Sequence, residues 1–341
     1  MLMAGGVTDP SRAPVAFGRR AVPQLFEELQ QPDQDRRLRA LNSLCDLMHD
    51  PERIQQTIRA GFLEQLKVLL EDEDPSVRTK TCELLLMLSC KYTASEALLS
   101  SSLLPPLSQL LDDSSSSCRR SVHRVMKQLS VWTSGASALL PLVPKLMLKL
   151  NEEEDEEALV LLLSTVSCCS RVDVLPALAS DGVSLLGQKL SHPSPNIRRE
   201  AAAAMMTLSV CEDGRQQVCE QALLPVLVGL LREDDIEVQI HAAGVIMYVV
   251  VITPGKLQCL DLDAIPVFLD LVSKKKEEED RRRVLVMYSL RVLTALAEAP
   301  DGRRLLLEQL PLLVARSEAT EEDENIRRAA QTAVRVITWT P

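Results

Sequence analysis

Apolar positions along this chain fall into amphipathic runs that recur at a near-constant spacing. Arg37, Arg78, Arg119, Arg198, Gln239, Arg283 and Arg327 each open such a run, at steps of 41, 41, 79, 41, 44 and 44 residues. The 79-residue step is close to two periods, with Glu157 at the skipped position. A second marker keeps the same time: Pro23, Pro105, Pro144, Pro225, Pro266 and Pro311 each follow an apolar residue and start a Leu-rich run. Within a run, the residues three, four, seven and ten places past the anchor lie on one helical face. They are Ala201, Ala202, Met205 and Leu208 in one run, and Ala242, Ala243, Ile246 and Val249 in the next. Small residues early and large ones late let adjacent helices approach closely and interlock.

Between the long runs come shorter ones. Phe62–Leu70 places Leu63, Leu66, Leu69 and Leu70 on one face, and Glu71–Asp74 follows as an acidic turn. Asp74 suits the N-cap of the next helix and Pro75 its first position, where no backbone donor is needed. Ser194 and Pro195 repeat the arrangement. No such unit buries its apolar face alone, so stacking on neighbours supplies the core. Self-similarity at this period with helical content predicts an all-α, right-handed helical solenoid of the armadillo or HEAT type. About eight repeats would fill 14–341, after a disordered tail over 1–13.

Composition agrees with this architecture. Only nine residues are aromatic and twelve are Gly, which is helix-forming stock with little strand chemistry. A net charge of −10 argues against nucleic acid and against an anionic membrane surface. Met1–Val7 carries no long apolar run, so no secretory leader is expected. The apolar runs Ala158–Val166 and Ala242–Thr253 are too short to span a bilayer and read as buried helices. The nine cysteines, odd in number and set in Leu/Ala-rich stretches, read as reduced core thiols.

Catalytic chemistry is not apparent. The chain has no phosphate-cradling Gly-rich loop, no nucleophile elbow and no HExxH. No Cys pair has zinc spacing. His49, His123, His192 and His241 fall in different repeats, and His123 occupies a core-type position. The expectation is a non-enzymatic protein without cofactor, metal or small-molecule substrate. The charge runs Glu152–Glu157, Lys274–Arg283 and Glu318–Glu324 read as solvated turns, with ionic docking points as the alternative.

In an armadillo solenoid the long helices line the concave face, and the positions five and nine past each anchor point into it. Nuclear-import adaptors repeat Trp and Asn there; this chain has no Trp at those places, and its single Asn, Asn42, stands at the wrong offset. Leu162, Val166, Ala203, Thr207, Gly244 and Tyr248 instead predict a small-residue, largely apolar floor that receives a partner helix. The competing reading is that the chain covers this floor itself.

Four segments carry a family resemblance. PVAFGRRAVP over 14–23, LNSLCDLMHDPE over 41–52, AEAPDGRRLLLE over 297–308 and VRVITWTP over 334–341 resemble the radial spoke head 14 family. The likeness runs from about residue 9 to the C-terminus, and its N-terminal segment is the specific part. It implies an armadillo scaffold in the radial spokes of motile cilia and sperm flagella, with other spoke subunits as protein partners. It places the chain in the cytoplasm, in the cytoskeleton of the axoneme. It also marks Phe17, Arg19 and Arg20 as candidate partner-binding residues. The alternative is a free cytosolic armadillo adaptor that binds a peptide or helix of a protein partner.

Overall fold

A computed structural model describes residues 18, 20–274, 280–319 and 323–339. Its architecture is an all-α solenoid, with no strand among the described residues. Eight long helices set the period: α1 (Gln34–Leu47), α2 (Pro75–Ser89), α3 (Ser116–Ser130), α4 (Glu156–Ser170), α5 (Pro195–Leu208), α6 (Ile236–Val249), α7 (Asp280–Leu296) and α8 (Glu324–Thr338). Shorter helices such as Pro51–Arg59 and Leu63–Leu69 connect them. The chain forms two compact units, Met1–Val143 with Glu153–Val172 and Pro144–Glu152 with Asp173–Pro341.

In the first unit α1 packs on α2, α2 on α3 and α3 on α4. Leu41, Leu44, Leu84, Leu85, Val122, Met126 and Leu163 are buried between them. In the second unit α5 packs on α6, α6 on α7 and α7 on α8. Ala201, Ala202, Met205, Leu208, Ala242, Ala243, Ile246 and Val249 are all fully buried there, as their spacing predicts. Each large apolar side chain so removed from water contributes roughly 1.5–3 kcal/mol.

Two backbone devices recur. The turn between the two short helices holds Gly61, Ser102, Asp181, Ala222 and Asp263 in the left-handed region, with φ of 72°, 54°, 58°, 51° and 51°. Only one of the five is glycine, so packing on either side imposes the conformation. The first short helix also carries a glycine in several repeats. A methyl on Gly135, Gly214, Gly255 or Gly302 would collide with the carbonyl oxygen of Leu129, Leu208, Val249 or Leu296, respectively. These glycines let the short helix close onto the end of the preceding long one.

Candidate functional site

Six of the eight long helices begin in a similar way. Asp33, Asp74, Ser115, Asp155, Asp235 and Asp323 cap them with side-chain oxygens; Asp74, for example, accepts from the Ser76 N–H at 2.6 Å. Ser194 stands at the cap place of α5 without a side-chain capping bond. Four residues past the cap stands the periodic anchor, and in four repeats it is an arginine strut. Arg78 Nη1 donates to the carbonyls of Asp72 and Glu73 at 2.7 and 3.0 Å, spanning its own turn. Its Nε donates to Asp113 of the next repeat at 2.7 Å. Arg37 with Asp72, Arg119 with Glu153, and Arg198 with Glu233 repeat the pairing.

These acids do a second job in their own turns. Asp113 accepts the Ser115 N–H at 2.8 Å and Glu153 the Asp155 N–H at 3.1 Å. Burial pushes the Asp113 carboxyl up, but hydrogen bonds from Arg78 and Ser115 outweigh it and hold the group below its ordinary 3.8. The hydrogen bond from Arg119 likewise lowers Glu153 from 4.5, against burial. The run Glu152–Glu157 is therefore more than a solvated turn. Glu153 is buried against Arg119, Asp155 pairs with Arg120 at 3.4 Å, and Glu157 accepts from Arg124 Nε at 2.8 Å. Residues 275–279 and 320–322 of the other two charge runs lie outside the described residues.

The predicted floor needs correction. In the fourth repeat the cap is Asp155, so the anchor place falls on Leu159 and not on Glu157. The two-residue slip turns Leu162 and Val166 into the core, where both are fully buried. The places five and nine past Leu159 are Ser164, which is half-buried, and Cys168, which is buried.

Gly244 is also covered by the chain. A methyl on it would collide with Met206 Sδ and lie 3.3 Å from Tyr288 Cε2, so α5 and α7 close over this point of α6. Thr207 is nearly buried, its hydroxyl donating to the Ala203 carbonyl at 3.1 Å. Ala203 and Tyr248 remain half-exposed on the long-helix face. Arg20 is exposed at the N-cap of Ala21–Glu28, while Phe17 and Arg19 lie outside the described residues.

The two units present different faces along these helices. The first unit's face is polar and ion-paired: Asn42 and Asp46 are exposed, Lys80 meets Glu83 at 2.8 Å, and Lys127 Nζ lies 3.3 Å from Cys168 Sγ. In the second unit Met206, Met247, Tyr248, Met287 and Tyr288 are half-exposed beside Arg199 and His241. A groove of about 420 Å³ lies between α7 and α8. Sequence reasoning missed it, since Arg291 and Arg328 stand off the places five and nine past the anchors.

No constellation for catalysis assembles among the described residues, and no group of three His, Cys, Asp or Glu side chains could hold a metal ion. Burial pushes the Cys169 and Cys259 thiols up to about 12 and Cys45 up to about 11, so they stay protonated. A hydrogen bond between Cys82 and Cys118 pushes the first up and the second down. Burial lowers His241. No described helix is long and apolar enough to cross a membrane.

Comparison with solved structures gives the same class. The chain is similar to an engineered protein from a structural genomics programme at 20% identity and a TM-score of 0.82, over 93% of this chain and 78% of that one. It is similar at 22% identity and a TM-score of 0.62 to the designed armadillo repeat protein YIII(Dq)4CqI, over 67% of this chain and 99% of that one. A related designed armadillo repeat protein, solved in complex with the peptide (KR)4, matches with the same values. No protein-family model matches the chain. Its fold is an all-α solenoid of the armadillo type.

Proposed function

We propose that this chain is a non-enzymatic armadillo scaffold of the radial spoke head 14 kind. It would be built into the radial spokes of motile cilia and sperm flagella, where it joins neighbouring spoke subunits. The observation that carries the reading is the resemblance at 14–23, 41–52, 297–308 and 334–341, set in an armadillo fold. The long-helix faces support a binding role: they hold half-exposed Met, Tyr and Arg side chains, the residue types that dominate protein interfaces. The test is fractionation of ciliated or sperm cells. Retention in detergent-extracted axonemes, with release by high salt or chaotrope, is expected. Loss of the protein should impair beating while the doublet microtubules still assemble.

A free adaptor is the second reading, favoured by the peptide complex of the designed neighbour. Complete release into the detergent-soluble fraction would select it.

A further inference from the structure

The groove between α7 and α8 has a charge that the rest of the chain lacks. One wall presents Met287, Arg291, Thr294 and Ala295, which share a face of α7 at helical spacing, with Glu298 in the turn that follows. The other presents Asn325, Arg328, Ala329 and Thr332 of α8. Glu298 is already paired with Lys256 of Thr253–Asp261. Arg328 is paired with Glu324, but those side chains are 70% and 61% exposed, and such a pair exchanges readily for a better one. Arg291 is exposed and makes no ion pair or hydrogen bond among the described residues. The uncompensated charge in the groove is therefore positive, on a chain whose net charge is −10.

We propose that this groove binds an extended acidic segment of a protein partner, with its carboxylates on Arg291 and Arg328. The inference rests on the scaffold reading above and names the chemistry of one partner. Its volume of about 420 Å³ falls within the range of ligand clefts, roughly 300–1,000 Å³. Planar guanidiniums suit carboxylates in bidentate geometry. The hydroxyls of Thr294 and Thr332 donate to the Leu290 and Arg328 carbonyls at 2.7 and 2.9 Å; Thr332 also accepts from Arg335 Nη2 at 3.4 Å, which leaves each oxygen with capacity to accept a peptide N–H group. Met287, Ala295 and Ala329 form an apolar floor small enough for a backbone to approach. A nucleic acid needs a broad positive field, which the chain's charge denies it; a short carboxylate-bearing segment needs only the two guanidiniums.

Fluorescence anisotropy on the full chain tests this, with two labelled peptides of about eight residues, one alternating Glu and Leu, the other alternating Lys and Arg. The acidic peptide should bind more tightly. Its affinity should fall about tenfold in Arg291→Glu and in Arg328→Glu, and should also fall between about 0.05 M and about 0.5 M salt. Arg304→Glu changes an exposed arginine outside the groove and should leave binding unaltered. Equal or tighter binding of the basic peptide, or wild-type affinity in both groove variants, overturns the proposal. Axonemal retention of the wild-type chain, scored in parallel, separates the two readings. Failure of the acid preference with retention intact removes this inference alone, whereas failure of retention removes the spoke reading.

Discussion

The first unit repeats one buried ion pair from helix to helix; the second does not. From α1 to α4 three struts run in sequence: Arg37 to Asp72, Arg78 to Asp113, and Arg119 to Glu153. Among the described residues of the second unit, only Arg198 to Glu233 repeats this pairing. The next anchor is Gln239, which still caps its turn, donating to the Leu231 and Glu233 carbonyls at 3.0 and 2.6 Å. Thirty-five residues further on, the interval that separates Arg198 from Glu233, stands Lys274 where the others have an acid. In place of the buried strut stand packing, with Gly244 accepting Met206 from one side and Tyr288 from the other, and a more exposed ion pair of Arg281 with Glu237 at 2.9 Å. One periodic position thus serves two mechanical ends, and the acid a repeat later shows which.

The comparison is broken most directly at Arg78. Its partner Asp113 is 3% exposed, so Arg78→Ala strands a buried carboxylate and two turn carbonyls. The expected loss is about 3 kcal/mol, read as a lowered thermal midpoint and faster amide exchange in α2 and α3. Gln239→Ala should cost about 1–2 kcal/mol, since no charge is left behind. Equal losses at the two sites would erase the distinction.

Acid should act on the same contrast. Asp113 and Glu153 are held below 3.8 and 4.5 in the folded chain. A depressed folded pKa gives stability that is fully present above the unfolded value and lost as pH falls through the folded one. The first unit's exchange protection should therefore decline as pH drops below about 4.5. Asp113→Asn should flatten that decline while lowering stability at neutral pH. Asp235, lowered by Arg199 against burial, predicts a similar and smaller response in the second unit.

Two milder substitutions sharpen the picture. Ala222 holds φ of 51° without being glycine, so Ala222→Gly should stabilise by about 0.5–1 kcal/mol, seen as a raised midpoint. Ala203→Glu adds a charge to the half-exposed face of α5 without touching the buried stripe. Its midpoint should stay within about 0.5 kcal/mol of wild type, while incorporation into axonemes falls. Normal folding with normal incorporation would move the interface elsewhere.

The repeat and its buried stripe were legible because helical spacing is a local property: Arg78 lies within one helix of its cap at Asp74, and Arg198 within one helix of its core at Ala201–Leu208. The acid partner was not, since Asp113 reads as one of many turn acids until the fold brings it to Arg78. Leu162 and Val166 were misplaced for a related reason. Charge drew the frame to Glu157, while the cap at Asp155 sets the true frame. Gly244 was ambiguous, because an open floor and a filled notch demand the same small residue; only Met206 and Tyr288 decide between them.

The missing strut at Gln239 has a consequence for cooperativity. In a linear array, each repeat is held by its nearest neighbours, so the weakest interface is where the array comes apart. Past α6 the part-exposed pairs of Arg281 with Glu237 and Lys256 with Glu298 hold the next repeat weakly, and the buried tether is Arg316, whose guanidinium donates to the Val272 and Lys274 carbonyls at 3.0 and 3.1 Å. It fastens Leu310–Glu318 to the end of Ala264–Ser273 and bypasses α6 altogether. The last two repeats of the second unit are accordingly clasped to each other by one mechanism and to their predecessor by another. Such an arrangement lets them open together as one late-folding block, exchanging their amides in step while α5 and α6 stay closed.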